Sequence, residues 1–220
     1  MKSIREMSGS LHEFMISLDK AGFTPEILQN VITSKGNKMA KTMYASITTK
    51  GMKQIVADRT AHLKLINSNV AVRAFEDTFN PTKHFCENKN IKYWLSDNFQ
   101  KYVLNSAQPF SKAPAMSFSK YSLKADTTDK DIMEELGITD KLMTREEILQ
   151  AIADLTSNQP KGESGTLLTN GYATIIGYMT CDDGAVRGVG VGWDADGREW
   201  GCGCGGLDGW GAGDEVLSRN

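Results

Sequence analysis

Nowhere in this 220-residue chain do apolar residues run on for the eighteen or so positions that a membrane-spanning helix requires. Its first ten residues carry Lys2, Arg5 and Glu6 with no apolar stretch behind them, so no ordinary secretory signal is expected. Both absences point to the cytoplasm and away from a membrane partner. The charge balance is also nearly flat, at −2, without the surplus of Lys and Arg that binding along a nucleic-acid backbone demands. A local basic run (Lys35, Lys38, Lys41, Lys50, Lys53, Arg59) reads as a solvated helical face.

Chemistry-bearing residues are scarce. The four cysteines, Cys86, Cys181, Cys202 and Cys204, are too few and too scattered for a disulfide framework and are expected as thiols. Cys202-Gly-Cys204 lacks the second pair that a zinc knuckle needs. His12, His62 and His84 are the only histidines, and none has a recognisable catalytic partner in sequence, although His84 lies two residues from Cys86. Glycines at 201, 203, 205 and 206 are not followed by Lys-Ser/Thr or a helix start, so they do not form a phosphate loop. Asp182, Asp183, Asp194, Asp196 and Asp208 cluster at turns without the further oxygens of a calcium loop. The sequence therefore predicts no catalytic residue, no metal ligand and no cofactor.

What the chain does have is glycine, concentrated late. Sixteen of its 21 glycines and three of its four tryptophans follow residue 160. Among them are three Asp-Gly pairs, Asp183-Gly184, Asp196-Gly197 and Asp208-Gly209, the strongest short signal for two-residue hairpin turns. They predict a four-stranded antiparallel meander over Tyr172–Asp182, Ala185–Ala195, Arg198–Leu207 and Trp210–Leu217. Turns at the first two pairs would set Tyr178 against Val189, Ile176 against Val191, Trp193 against Trp200 and Val191 against Cys202. One face then collects the bulky residues. The other collects Gly177, Gly188, Gly190, Gly192, Gly201 and Gly203 with Ala173 and Ile175. A face so bare implies close approach, either of a helix such as that bearing Ile148, Ile152 and Leu155, or of a ligand or partner backbone. The packed helix is the expectation.

Before the meander the periodicity is helical. Leu11, Phe14, Met15 and Leu18 form one stripe, and Thr24-Pro25-Glu26 opens a second helix carrying Ile27, Leu28, Val31 and Ile32. Further helices are predicted over 38–48 and from Met52 to Ile66. The aromatic-rich stretch from Asn69 to Asp126 shows no sustained period, apart from a helix capped by Ser96 and running to Leu104. Residues 106–122 have loop composition, with Met116, Phe118 and Tyr121 as anchors. Thr128 opens a helix closed by Gly137, and Thr144-Arg145-Glu146-Glu147 is a capping box before Ile148, Leu149, Ile152 and Leu155. The resulting reading is an α+β chain in three parts: small helices over 1–68, a connecting region over 69–143, and a helix plus antiparallel β module over 144–220.

The segments Gly-Thr-Leu-Leu-Thr-Asn-Gly-Tyr-Ala (165–173), Arg-Glu-Trp (198–200) and Ala-Gly-Asp-Glu-Val-Leu-Ser-Arg-Asn (212–220) resemble the C-terminal module of short uncharacterised bacterial proteins. Ala-Gly-Phe-Thr-Pro-Glu (21–26) is similar to a helical module near the start of such proteins. The resemblance implies a bacterial origin and a recurring β module, and it brings no activity with it.

On its own residues the chain reads as a non-enzymatic interaction protein. Trp193, Trp200 and Trp210, with Arg187 and Arg198, are the candidate binding residues, because aromatic rings and arginine dominate recognition surfaces. A protein partner or self-association is the expected use. One alternative is an enzyme with a site between the helical and β regions drawing on His84, Cys86, Asp97 or Arg187. Another is a structural subunit of a larger, phage-related assembly, its sheet edges completed by neighbours.

Overall fold

Seven strands share one mixed sheet in the computed structural model, which describes residues 62–111, 113–205 and 209–220. The chain divides into two units, Met1–Thr60 and Ala61–Asn220, and the described residues all belong to the second. The helices expected before residue 62 lie outside the described residues. The end of the fourth is an exception: Leu63 and Ile66 belong to a strand, β1 (Leu63–Val72), and not to a helix.

The other strands are β2 (Tyr93–Leu95), β3 (Met116–Leu123), β4 (Ala173–Thr180), β5 (Val186–Asp194), β6 (Glu199–Gly205) and β7 (Glu215–Arg219), in the order β1-β3-β7-β4-β5-β6-β2. Among the described residues four helices accompany the sheet: α1 (Pro81–Glu87), α2 (Asp97–Phe99, continuing as a wider turn over Gln100–Leu104), α3 (Asp129–Leu136) and α4 (Arg145–Ser157), an α+β arrangement. Three of them start where side-chain caps dictate. Ser96 accepts from Phe99 N, Thr128 from Asp131 N, and Thr144 forms the full capping box with Glu147. The helix at α1, capped by Asn80 with Pro81 in its first turn, carries those signals too, but it is short and sits among unpatterned aromatics.

The meander is real but has three strands, not four. Two observations explain why β7 leaves it. The free side of β6 is already taken by β2, which pairs with it in parallel (Tyr93 with Trp200, Leu95 with Cys202). Meanwhile Asp214 accepts from Ala173 N at 2.8 Å and Gly211 N at 2.8 Å, so the chain enters β7 beside β4. There β7 runs parallel to β4 (Ile175 with Val216) and antiparallel to β3 (Tyr121 with Val216). Residues 116–123, expected as loop, are strand β3.

The register of β5 on β6 is as expected, with Trp193 opposite Trp200, Val191 opposite Cys202 and Val189 opposite Cys204. That of β4 on β5 is shifted. Cys181 N donates to Ala185 O at 2.9 Å, closing a three-residue loop in which Gly184 adopts φ +79, where a two-residue turn was expected. Tyr178 therefore faces Gly188, Gly177 faces Val189, and a bulge at Ile176 sets Thr174 opposite Val191, on its expected face but two residues from its expected partner Trp193. Gly177 and Tyr178 exchange faces as a result.

The sheet is covered on its bulky face and, in part, on its glycine face. Ile148, Ile152 and Leu155 of α4 pack with Val189, Val191, Trp200, Cys202 and Cys204 on the bulky face, joined by Phe99 and Val103 of the α2 segment. The expected cover of the glycine face by α4 is thus wrong. At Gly188 and Gly190 that face meets Trp210 instead, together with Tyr178 and, from α3, Asp129, while no described atom lies within 4 Å of a Cβ at Gly203. An ideal Cβ at Gly190 would lie 3.0 Å from the Trp210 ring, and one at Gly188 would lie 3.1 Å from Asp129 Oδ1.

Candidate functional site

Beyond the core end of β5 and β6, the bulky face continues as a pair of indoles. Trp200 is fully buried, and Trp193 packs edge-on against it with ring centroids 5.3 Å apart. Trp200 Nε1 donates to Gln159 O at 3.0 Å, which ties the loop after α4 to this pair. Gln159, itself buried, shapes that loop: its Nε2 donates to Glu163 O (2.6 Å) and Leu167 O (3.1 Å), and its Oε1 accepts from Leu167 N (2.8 Å). Gly162, at φ +71, lies directly on the Trp193 ring; a Cβ there would occupy the indole's own volume. Trp193 is therefore fixed between β6 and this loop, half-buried, and its Nε1–H finds no acceptor among the described residues.

Two further segments close around it. The β5–β6 connection is a four-residue loop, Ala195–Arg198, and its positive φ falls on Arg198 (φ 50) and not on Gly197. Left-handed backbone at a non-glycine residue costs roughly 1–2 kcal/mol, so this arginine is held in place at a cost. The segment before β2 is anchored from below. Asn88 Oδ1 accepts from Asn90 N and Ile91 N, Trp200 N donates to Lys92 O at 2.9 Å, and Lys92 Nζ reaches Gly197 O at 3.2 Å and Glu199 Oε2 at 3.0 Å.

Together the three segments line an open pocket of about 390 Å³ bordered by Lys89, Asn90, Lys92, Pro160, Lys161, Trp193, Ala195 and Arg198, its four cations exposed. Four of these eight residues are cations, and among the described residues only Lys92 has an ion-pair partner, Glu199. Two nearby acids lie outside the lining: Asp194, whose Oδ1 accepts from Asp196 N, and Glu163, whose Oε2 accepts from Lys161 N and which interacts with the Lys161 charge. Such a site has donors and positive charge in excess and an apolar wall of Pro160, Trp193 and Ala195. Its chemistry suits an anion carried on an apolar group.

Of the five residues expected to bind, Trp193 and Arg198 meet here. The other three do not join them. Trp200 supports the site from the core, and Trp210 donates from Nε1 to Asp129 Oδ1 at 2.6 Å over the glycine face. Arg187 is engaged by both oxygens of Asp183 at 2.7 Å and lies 4.0 Å over the Tyr102 ring, a pairing that holds the Asp183 carboxyl down at about 2. Sequence reasoning missed Lys89, Lys92, Lys161 and Gln159. The acid-free run Lys89-Asn90-Ile91-Lys92 was the available signal, but surface lysines are too common to single it out.

A second cluster surrounds His84. Its Nε2 lies 3.0 Å from Tyr93 Oη, which lies 2.6 Å from Thr156 Oγ1, and Thr156 donates to Ile152 O at 2.7 Å. Counting protons orders the chain: Thr156 spends its hydrogen on the carbonyl, so it accepts from Tyr93, and Tyr93 accepts from His84 Nε2–H. Burial among Phe79, Phe85 and Tyr93 lowers the His84 pKa to about 4, so the ring is neutral near pH 7. Phe79 and His84 also border a cavity of about 330 Å³ with Thr78, Asn80, Lys83, Glu87 and Asn88. Of the residues named for the enzyme alternative, Cys86 is exposed on α1 and Arg187 is paired with Asp183, and no hydrogen bond or ion pair joins any two of His84, Cys86, Asp97 and Arg187. The described residues contain no group of three or more His, Cys, Asp or Glu able to hold a metal. Among them no helix is long and apolar enough to cross a membrane.

No family model, curated protein or solved structure matches the chain.

Proposed function

We propose that the chain is a non-enzymatic binding protein of the bacterial cytoplasm whose recognition site is the Trp193–Arg198 pocket, and that it takes hold of an anionic group on its partner. The observation carrying this reading is the charge imbalance of the cavity, four cationic lining side chains and no lining acid, with Glu199 paired to Lys92 and Glu163 near Lys161 from outside the lining. Pre-organisation supports it. The pocket's three segments are tied to one another through Trp200, Gln159 and Lys92, so little order remains to be created on binding. Of the Arg198-Glu199-Trp200 segment, Arg198 lines this pocket and Trp200 packs beneath it.

The test is a thermal melt of the full chain with benzoate, phenyl phosphate and neutral phenol, alongside the double variant Lys161→Gln/Arg198→Gly. A ligand present at about 100 times its Kd stabilises by ~2.7 kcal/mol. At least one anionic probe should raise the Tm of the parent and leave that of the double variant unmoved, while phenol does nothing. If phenol stabilises as well as the anions, or no anion stabilises, the reading is wrong.

A further inference from the structure

Resting on that reading, we infer that the anion is a phosphomonoester: a dianionic phosphate seated among Lys89, Lys92, Lys161 and Arg198, with its organic group against Trp193, Pro160 and Ala195. The charge count favours a dianion. Lys92 shares its charge with Glu199 and Lys161 lies within the field of Glu163, which leaves Lys89 and Arg198 without a described carboxylate partner. A single carboxylate would offset one of them, whereas a phosphomonoester carries a charge near −2 at neutral pH and offsets two.

The donor geometry agrees. Three lysine ammonium groups are point charges without a fixed fork, the form in which lysine binds phosphate, and one arginine adds a planar fork. Asn90 supplies a neutral polar group on the same cavity, and Trp193 supplies its aromatic wall. A phosphomonoester presents three terminal oxygens to these groups, more acceptors than a carboxylate offers. A volume of about 390 Å³ falls in the range of small-molecule pockets, so the site has room for the group that bears the phosphate.

A phosphodiester chain fits poorly. It brings one charge per phosphate and must follow a basic track, yet Asp194, Asp196 and Glu163 flank this pocket and the chain as a whole is at −2. The phosphomonoester could reach the pocket on a free small molecule or on a phosphorylated side chain, and the chemistry is common to both.

Calorimetric titration of the full chain discriminates. The probes are phenyl phosphate, methyl phenyl phosphate, benzoate and a charge-neutral peptide carrying one phosphoserine. We expect phenyl phosphate, the phosphopeptide or both to bind at least about tenfold more tightly than the diester or benzoate. The phenyl phosphate arm alone marks a free metabolite as the source, and the phosphopeptide arm alone marks a phosphorylated side chain. Affinity for the successful probe should fall between about pH 7.5 and pH 5.5, as the phosphate loses its second charge near ~6. Arg198→Gly and Lys161→Gln should each weaken binding at least about fivefold with the melting temperature of the free protein preserved. Benzoate or the diester binding as tightly as the monoesters would overturn the phosphate assignment and leave the anion-binding reading in place. If none of the four probes binds, both fall.

Discussion

Gly190 sits in the middle of β5 on the face covered by Trp210, and Gly190→Val measures how tightly that cover is held. An ideal Cβ at this position lies 3.0 Å from Trp210 Cη2, 3.4 Å from its Cζ3 and 3.5 Å from Thr174 O, and valine adds two methyl groups beyond it. The indole has little room to retreat. Its Nε1 donates to Asp129 Oδ1 at 2.6 Å, Tyr178 Oη donates to the same oxygen at 2.8 Å, and the Trp210 backbone exchanges both hydrogen bonds with Thr127. Overpacking of this kind costs ~1–3 kcal/mol. The strand preference of valine returns no more than ~1 kcal/mol, while displacing the ring strains a charge-assisted bond worth ~1.5–3 kcal/mol. The net expectation is a loss of ~1–3 kcal/mol, which for a unit of this size lowers the Tm by roughly 2–10 °C. Gly203→Val is the internal control, since no described atom lies within 4 Å of its Cβ position; it should be neutral or stabilising by up to ~1 kcal/mol. Urea titrations followed by tryptophan fluorescence read this unit directly, because all four tryptophans, at 94, 193, 200 and 210, lie within Ala61–Asn220. A Gly190→Val protein as stable as the parent, or a Gly203→Val protein equally damaged, would refute the described cover.

Three further outcomes are expected. His84 titrates near 6.5 when unfolded and near 4 when folded, so the unfolded state binds more protons between these values: stability is complete above about pH 6.5 and declines as pH falls toward 4. With allowance for partial solvent access the effect is ~1–2 kcal/mol, and His84→Gln should flatten that part of the urea-midpoint profile relative to the parent. Lys120 and Glu215 form a largely buried ion pair at 2.9 Å, so Lys120→Met should cost ~3–5 kcal/mol by stranding the carboxylate; Lys120→Met/Glu215→Leu should recover much of that loss in the same urea assay. Thiol titration should find Cys86 alone reacting quickly in the folded protein. Cys181, Cys202 and Cys204 should appear only in denaturant, because all three are buried, and burial raises the Cys202 thiol pKa and pushes that of Cys204 up to about 12.

Local signals in the sequence marked what is local in the fold. The Asp-Gly pairs at 183–184 and 196–197 stand at two hairpin ends, yet neither loop has two residues. The four-residue loop at Ala195–Arg198 closes the same pairs as a two-residue turn and preserves the register; the three-residue loop before Ala185 does not, so Tyr178 changes face. Capping residues at 96, 128 and 144 located three helices, because a cap acts within one turn. Strands β1, β2 and β3, and the place of β7 (expected as a strand over Trp210–Leu217 but beside β6), escaped for the opposite reason. Their partners are distant in sequence, no turn joins them, and β1 is a half-exposed edge with bulges at 66 and at 68–69 that blur its alternation. In the site, Trp193 and Arg198 stood out by residue type and turn position. The lysines did not, since only the packing of three separate segments brings them to one cavity.

The most direct test of the anion site uses the four indole N–H signals of a ¹⁵N-labelled full chain. Trp200 and Trp210 have theirs committed, to Gln159 O and Asp129 Oδ1, whereas that of Trp193 has no described acceptor. On titration with phenyl phosphate the Trp193 signal should move saturably, the Trp200 and Trp210 signals should stay in place, and Arg198→Gly should abolish the shift. A Trp193 signal that stays fixed while the ligand binds, or that moves equally in Arg198→Gly, would contradict the assignment of this pocket as the recognition site.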